Sequence, residues 1–189
     1  KKDDKLVKLL KKNKIKFFRG PENNVLKRVY LAAKQNKADV IVEVSGDSPL
    51  VDPFLIDEAI IFFKTNNKLD YLNVDHGYPG GIGFEVFRIN SLKESFIKAK
   101  KNYEKEHVTP YIINNPKRFN SFYFIADKEN SSSTINFLLD EEKDYIFLRN
   151  IVSNLKKKNY RTSQLLKLIK QKKIESTNKE VKRNSVYYK

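Results

Sequence analysis

Short apolar runs alternate along this chain with longer segments in which apolar residues recur every three or four positions, the period of an α-helix. The apolar runs predict strands at residues 15–18, 39–45, 70–74, 84–89, 121–126 and 135–139. The helical spacing predicts helices at residues 4–13, 24–35, 53–65, 90–100, 106–114, 141–155 and 162–170. Because strands that alternate with helices favour a parallel sheet with crossover helices, we predict an α/β fold in one compact unit.

The same patterns predict which side chains are buried. Residues 39–45 form the strongest strand, and their nearly continuous apolar character predicts burial on both sides of a sheet. The helical side chains expected to face inward include Leu6, Leu9 and Leu10 early in the chain and Tyr145, Leu148, Val152 and Leu155 late in it.

A glycine-rich segment separates the strands at 70–74 and 84–89. The sequence HGYPGGIG at residues 76–83 holds four of the six glycines of the chain. Glycine adopts backbone conformations that other residues avoid, so this segment predicts a loop of unusual geometry.

The formal charge of +15 suggests a polyanionic partner, but most of this charge lies near the C-terminus. Residues 156–189 carry 12 Lys and Arg against 2 acidic residues. Lysines outnumber arginines by 31 to 7, whereas recognition of bases and phosphates usually draws on the bidentate guanidinium of arginine. The composition therefore argues against a nucleic-acid partner, and a tail that binds nucleic acid or an anionic surface stays as a third hypothesis.

The composition also narrows the cellular setting. Cysteine is absent, which excludes disulfides, thiolate metal sites and a cysteine nucleophile. No apolar run approaches the roughly 20 residues that a bilayer span needs, and no leader pattern is visible, so we expect a cytoplasmic protein without a membrane span. Methionine is absent too, from which we expect that this is not the whole translated protein.

Two aspartates stand where predicted strands end. Asp47 follows Gly46 after the strongest strand, and Asp140 follows the strand at 135–139. Ligands of open α/β sheets bind beyond the carboxyl ends of the strands, so both carboxylates are expected to reach one crevice. Two carboxylates suit Mg²⁺, which fills its octahedron with water and substrate phosphates. The alternative is that both are helix caps or turn residues, the commoner use of a loop aspartate.

Other polar residues also have two interpretations. Asp52 precedes a proline and is interpreted as a helix cap rather than a ligand. Glu43 interrupts a strand, so it either forms an ion pair with a neighbouring Lys or Arg, which we favour, or faces the crevice. Arg19, in an Arg-Gly-Pro turn, either contacts a phosphate or a base carbonyl or is solvated. His76 and His107 are interpreted as hydrogen-bonded structural residues, because two histidines are too few for a histidine-rich metal site and no nucleophile-elbow motif is present.

Four segments carry a family resemblance. They are FFRGPENNVLKRVYLAAKQNKADVIVEVSGDSPLVDP, YPGGIGFEVFRINSL, EKEHVTPYIINNP and INFLLDEEKDYIFLRNI. In this order they resemble the cytidylyltransferase family that includes spore coat polysaccharide biosynthesis protein F, which is similar to the 3-deoxy-manno-octulosonate and acylneuraminate cytidylyltransferases. The piece G-D-x-P-L alone is shared with many nucleotidyltransferases, but the ordered set is specific and spans residues 3–155.

The resemblance implies a fold and a reaction. The fold is a three-layer α/β/α sandwich with a mostly parallel sheet, of the nucleotide-diphospho-sugar transferase type, over residues 1–170, followed by a basic tail at 171–189. The reaction transfers CMP from CTP to an acidic sugar or a related precursor for surface polysaccharide or glycan synthesis, with Mg²⁺ as cofactor and pyrophosphate as product. Related enzymes are commonly dimers, so a homodimer is the candidate assembly.

The matching positions imply roles for individual residues. By resemblance, Asp47 and Asp140 are the catalytic metal ligands, Arg19, Gly46 and Asp47 bind the nucleotide, and Glu85 with His107 lies near the acceptor sugar.

The chain also departs from the family pattern. The family begins with an Arg- and Lys-bearing loop of the form R-x-x-S-x-R-L-P-x-K, which this chain lacks and which we expect upstream of it. Where relatives often read P-D-G-x-D-x-E, both aspartates are replaced here, by Gly80 and Gly83, while Glu85 remains. Where relatives often carry Arg, this chain has Glu43. A second hypothesis is therefore a non-catalytic member of the fold that acts as a partner subunit.

Overall fold

The structure, a computed structural model, describes residues 2–132, 134–156 and 159–174. In chain order its elements are α1 (Asp4–Lys12), α2 (Val25–Gln35), β1 (Val40–Glu43), α3 (Pro53–Thr65), β2 (Tyr71–Val74), β3 (Phe84–Arg88), α4 (Ile89–Lys98), α5 (Asn102–Glu106), α6 (Pro110–Ile113), β4 (Ser121–Phe124), α7 (Glu142–Asn154) and α8 (Thr162–Lys172). The chain divides into two compact units. The first unit is Lys1–Ile41 with Arg88–Phe119, and the second is Val42–Phe87 with Asn120–Lys189.

Helices build the first unit. The side chain of Asn24 accepts the Lys27 N–H at 2.8 Å and caps α2, which begins at Val25. Helix α2 packs against α4 and α5, and the rings of Tyr30 and Phe96 stack with their centroids 4.9 Å apart. These contacts bury the apolar side chains Leu26, Leu92 and Ile112 almost completely.

The start of this unit differs from the prediction. Helix α1 forms as expected, but Leu6 and Leu9 are 53% and 56% exposed, so the prediction that they face inward was wrong. The strand predicted at 15–18 does not form, and Ile15 and Phe17 are exposed. A strand needs a neighbour for its N–H and C=O groups, and no described strand pairs with this segment.

The four strands form one mixed sheet in the order β1-β3-β2-β4. Strand β2 is antiparallel to β3 and parallel to β4, so the predicted parallel arrangement holds only in part. In this register Asn73 lies opposite Glu85 on β3 and Tyr123 on β4. Strand β1 is at an edge, and its residues are only half-buried, which corrects the prediction of burial on both sides.

The core of the second unit lies between this sheet and its helices. Asp52 caps α3 and Pro53 is its first residue, as the sequence predicted. From α3, the ring of Phe62 contacts Phe122 and Phe124 on β4, with centroid separations of 4.7 and 5.2 Å. Leucines, valines and phenylalanines from β2, β3 and α7 complete the core, including Leu72, Val74, Val86 and Phe147.

Several other predicted elements differ from the structure. The strand predicted at 135–139 is an extended segment with a single parallel bridge, from Asn136 to Gly80. The helix predicted at 106–114 is interrupted at Val108, whose positive φ of 68° is incompatible with a helix, so α5 and α6 are separate. Helix α4 begins at Ile89, one residue before the predicted start at residue 90.

Helix α7 buries a different stripe from the predicted one. Its buried residues are Asp144, Phe147, Leu148 and Ile151. Of the predicted inward residues, Leu148 is buried, but Tyr145 and Val152 are each 52% exposed. Apolar residues occupy four successive positions at 145–148, so the sequence offered more than one apolar stripe.

The described part of the chain ends shortly after α8. Helix α8 continues to Lys172, so the predicted boundary at residue 170 falls inside it, and residues 175–189 of the predicted tail lie outside the described residues. No helix in the described part of the chain is long and apolar enough to cross a membrane.

Candidate functional site

The loop from β1 to α3 carries Asp47. The Ser48 N–H donates to the Ser45 carbonyl at 3.1 Å and closes a turn around Gly46 and Asp47. The side chain of Asp47 is half-buried, and the Ser48 hydroxyl lies 3.4 Å from its Oδ1. A Cβ added at Gly46 would meet no atom within 4 Å, so the main chain beside Asp47 is accessible.

A main-chain hydrogen bond brings the second predicted ligand to this loop. The N–H of Leu139 donates to the carbonyl of Asp47 at 2.8 Å. Asp140 is the next residue, and its side chain is exposed. The structure therefore brings the main chains of Asp47 and Asp140 together within the second unit, and their roles as metal ligands stay predictions.

Asp144 fixes the main chain of Asp140. Its side chain is fully buried, and its Oδ2 accepts the N–H groups of Asp140 and Glu141, each at 2.9 Å. These N–H groups stand at the start of α7, where no carbonyl of the helix can accept them. Sequence reasoning missed Asp144, although a carboxylate three residues after a helix cap is a known sequence signal.

The glycine-rich loop allows the segment before Asp140 to pass close to it. The Phe137 N–H donates to the carbonyl of Gly80 at 2.7 Å. Gly81 has a φ of +81°, and a Cβ there would lie 2.7 Å from the main-chain N of Leu138. Since only glycine avoids both problems, the prediction of an unusual loop geometry is confirmed.

Gly80 and Gly83, at the positions where the resembled family often carries aspartates, each lie against a polar side chain. A Cβ at Gly80 would lie 2.9 Å from Oδ1 of Asn136, and one at Gly83 would lie 2.9 Å from Oδ1 of Asp75. A carboxylate is thus present beside Gly83, supplied by Asp75 from the end of β2.

Glu43 and Glu85 interact electrostatically within the second unit. The Oε2 atom of Glu43 is buried without a hydrogen-bond partner among the described residues, so the favoured ion pair with Lys or Arg was wrong. Burial, followed by the charge of Glu85, raises the pKa of Glu43 to about 8. Glu85 accepts a hydrogen bond from the Tyr71 hydroxyl, and burial and the Glu85 charge raise the pKa of Tyr71 well above its ordinary value.

Arg19 and His107 belong to the first unit. The guanidinium of Arg19 donates to Oδ1 of Asp4 at 2.6 Å and to the carbonyl of Lys2 at 2.8 Å. His107 follows α5, and its carbonyl accepts the Thr109 N–H at 2.8 Å in a tight turn around Val108. The nucleotide contact of Arg19 and the sugar contact of His107 stay predictions. The other histidine, His76, is exposed and packs edge-on against a tyrosine ring.

The donor set fits a hard cation. Asp47 and Asp140 offer carboxylate oxygens from adjacent main chains, and Mg²⁺ in phosphate-transfer sites commonly takes one or two carboxylates. No group of three or more His, Cys, Asp or Glu residues able to hold a metal occurs in the described part of the chain. A metal here would therefore depend on water and substrate oxygens for the rest of its coordination.

Comparison with known proteins assigns the family. A family model described as cytidylyltransferase matches residues 2–189. The uncharacterized protein MJ1063 of Methanocaldococcus jannaschii is 37% identical over 145 residues, which cover 77% of this chain and 59% of that protein. The spore coat polysaccharide biosynthesis protein SpsF of Bacillus subtilis is 33% identical over 135 residues, which cover 71% of this chain and 55% of that protein. The chain thus spans a little more than half the length of these relatives.

A solved structure agrees with the sequence comparisons. A cytidylyltransferase from Leptospira borgpetersenii serovar Hardjo-bovis matches with a TM-score of 0.86 and 27% identity, covering 96% of this chain and 76% of that one. This likeness confirms the predicted α/β fold class of the nucleotide-diphospho-sugar transferase type. Together with the family match over nearly the whole chain, it establishes that this chain belongs to the cytidylyltransferase family.

Proposed function

We propose that this protein transfers CMP from CTP to an acidic sugar, or a related precursor of a surface polysaccharide or glycan, and releases pyrophosphate. Family membership supports the nucleotidyl transfer, and the name of the Bacillus relative supports a polysaccharide precursor. The observation that carries the proposal is the hydrogen bond from Leu139 to Asp47, because it sets the two candidate metal ligands on adjacent main chains.

In the proposed reaction, a hydroxyl oxygen of the acceptor attacks the α-phosphorus of CTP. A new O–P bond forms, the bond from this phosphorus to the bridging oxygen of pyrophosphate breaks, and the hydroxyl proton passes to water. Negative charge grows on the phosphoryl oxygens and on the leaving pyrophosphate. Mg²⁺ held by Asp47 and Asp140 would supply the charge neutralisation that this step requires.

The remaining predicted residues bind and orient substrates in this proposal. The open main chain at Gly46 lets a nucleotide approach the loop closely. Arg19 would contact the nucleotide by exchanging its bond to Asp4 for one to a phosphate or a base carbonyl. Glu85 would contact the acceptor. We further propose that the protein acts in the cytoplasm as a homodimer.

The test is calorimetric CTP binding with and without Mg²⁺, followed by pyrophosphate release with a panel of acidic and neutral sugars. Asp47→Asn and Asp140→Asn each remove one carboxylate but keep the main-chain bond from Leu139, so both variants should fold. We expect each to lose about 100-fold or more in rate, since a bound metal contributes several kcal/mol of charge stabilisation. Asp57→Asn, an exposed position on α3, is the matched control and should retain activity. Absence of Mg²⁺-dependent CTP binding in the wild type would refute the proposal.

The replaced acidic positions favour a second candidate function, that of a non-catalytic partner subunit. Gly80 and Gly83 supply no carboxylates where relatives often carry them, and Asn136 fills the space beside Gly80. This candidate predicts that Asp47→Ala leaves the biological role intact, which complementation of a deletion strain would measure.

A further inference from the structure

Helix α8 is capped by a residue far away in sequence. Its first N–H, from Thr162, donates to Oδ2 of Asp52 at 2.6 Å, and the Thr162 hydroxyl donates to the same oxygen at 3.1 Å. The two residues are 110 positions apart and both are buried. At this helix start the Gln164 side chain accepts the Arg161 N–H at 2.9 Å, and Asp52 accepts the N–H of Thr162, which no carbonyl of the helix can accept.

The same carboxylate also caps α3. Oδ1 of Asp52 accepts the N–H of Phe54 at 2.9 Å and the N–H of Leu55 at 3.1 Å. Asp52 is 2% exposed, and its two oxygens accept four hydrogen bonds from the starts of two helices. A buried carboxylate in this position is stabilised by the N–H groups and by the partial positive charge at each helix start.

Further contacts hold the first turn of α8 in place. The Ser163 N–H donates to Oδ1 of Asn130 at 3.0 Å. Arg161 pairs with Glu58 on α3 at 2.7 Å, and its guanidinium lies 5.0 Å from the ring centroid of Phe54. The ion pair is about half exposed and contributes little to stability. The buried hydrogen bonds of Asp52 therefore contribute most of the stability of the contact between the starts of α3 and α8.

This junction ends the loop that carries Asp47. Asp47 and Asp52 are five positions apart, and Ser48 and Leu50 between them are buried. The loop is therefore held at one end by the bond from Leu139 to Asp47, and at the other by the bonds of Asp52 to α3 and α8. A displacement of α8 would move Asp52 and, through a short segment anchored by the buried side chains of Ser48 and Leu50, the carbonyl and carboxylate of Asp47.

We propose that Asp52 is a positioning residue for the nucleotidyl-transfer site, which couples the start of α8 to the loop that carries Asp47. Helix α8 is then part of the apparatus that sets the geometry of the site, although none of its residues is placed in that site. This inference rests on the proposed function, and the hydrogen bonds that carry it are independent of that function.

The test separates the two caps that Asp52 provides. Asp52→Ser keeps a side-chain cap for α3 but is too short to reach Thr162 as well. We expect the Mg²⁺ concentration for half-maximal activity to rise about two- to thirty-fold, the range by which residues that touch neither ligand change the coupling between sites. Amide hydrogen exchange of a peptide covering residues 45–51 should also become faster. Thr162→Val loses only the hydroxyl bond to Asp52 and should give a smaller effect than Asp52→Ser. Thr162→Ser keeps the hydroxyl and should behave like the wild type.

Ile169→Ala is the control for a merely structural role. Ile169 is a buried residue of α8 outside the junction, so this change should lower the unfolding midpoint without altering the Mg²⁺ dependence or the exchange of residues 45–51. If Asp52→Ser and Thr162→Val change only the unfolding midpoint, as Ile169→Ala does, the positioning role is refuted. A wild type without CTP turnover would refute the proposed function instead, and the exchange comparison would still decide whether Asp52 couples α8 to the loop.

Discussion

Replacing Glu43 with Gln is expected to stabilise the folded protein at pH 9 and to leave its stability nearly unchanged at pH 4. The Oε2 atom of Glu43 is buried without a partner among the described residues and faces the charge of Glu85, so ionisation of Glu43 is costly in the folded state. Glutamine has nearly the same shape and no charge, and therefore removes that cost.

The magnitude follows from the displaced pKa of Glu43. The carboxyl titrates at 4.5 in the absence of these surroundings and at about 8 in the folded protein. Between these pH values the folded protein retains a proton that the unfolded chain has released, so the free energy of unfolding falls as the pH rises from 4.5 to 8. The full displacement of the Glu43 pKa corresponds to about 5 kcal/mol of the free energy of unfolding. Relaxation around a buried charge lowers its cost, so we expect the Gln variant to gain about 2 to 5 kcal/mol at pH 9.

The assay is urea unfolding of both proteins at pH values from 4 to 9, with the difference in unfolding free energy plotted against pH. Groups that do not interact with Glu43 titrate alike in the two proteins and cancel in this difference, whereas the interaction of Glu43 with Glu85 is part of the effect that it measures. Glu129→Gln, an exposed carboxylate in the same unit, is the matched control, and its curve should stay flat within about 0.5 kcal/mol. A flat curve for Glu43→Gln as well would refute the interpretation of Glu43 as a buried acid beside Glu85.

Two further substitutions test the segment that leads to Asp140. Gly81→Ala should lower the free energy of unfolding by about 2 to 4 kcal/mol in urea titrations, because the new Cβ would stand on a left-handed backbone and clash with the main chain of Leu138. Gly46→Ala is its control and should lower the free energy of unfolding by less than about 1 kcal/mol, because its Cβ meets no atom within 4 Å. Asp144→Ala should lower the free energy of unfolding by about 1 to 3 kcal/mol, because it leaves the N–H groups of Asp140 and Glu141 without their acceptor, and it should weaken Mg²⁺-dependent CTP binding in calorimetry. Equal effects from Glu129→Ala, an exposed position in the same unit, would contradict both of these expectations for Asp144.

The sequence predicted features whose signal is local. Asp52 and Pro53 identified the start of α3 because a cap acts within three residues of its own position. The glycine-rich segment correctly predicted an unusual loop because that signal is local too: the backbone angles of the loop depend on the glycines themselves.

Predictions that depend on distant neighbours fared worse. The apolar run at 15–18 has a strand-like composition, but the described chain provides no strand beside it. Glu43 was expected to find a basic partner, whereas the sheet order sets its strand beside β3, which carries Glu85. The predictions that Leu6 and Tyr145 are buried were also wrong. Periodicity defines an apolar stripe on a helix but does not establish that another element covers that stripe.

The candidate site shows this difference most sharply. Motif spacing predicted that Asp47 and Asp140 belong to one edge of the sheet, but the contact that joins their segments runs from the N–H of Leu139 to the carbonyl of Asp47. Any residue other than proline donates that N–H, so residue identity at 139 carries no signal for it. The same holds for the Thr162 N–H that Asp52 accepts across 110 positions. The geometry of this site is therefore set largely by main-chain donors, which become visible only once the path of the chain is known.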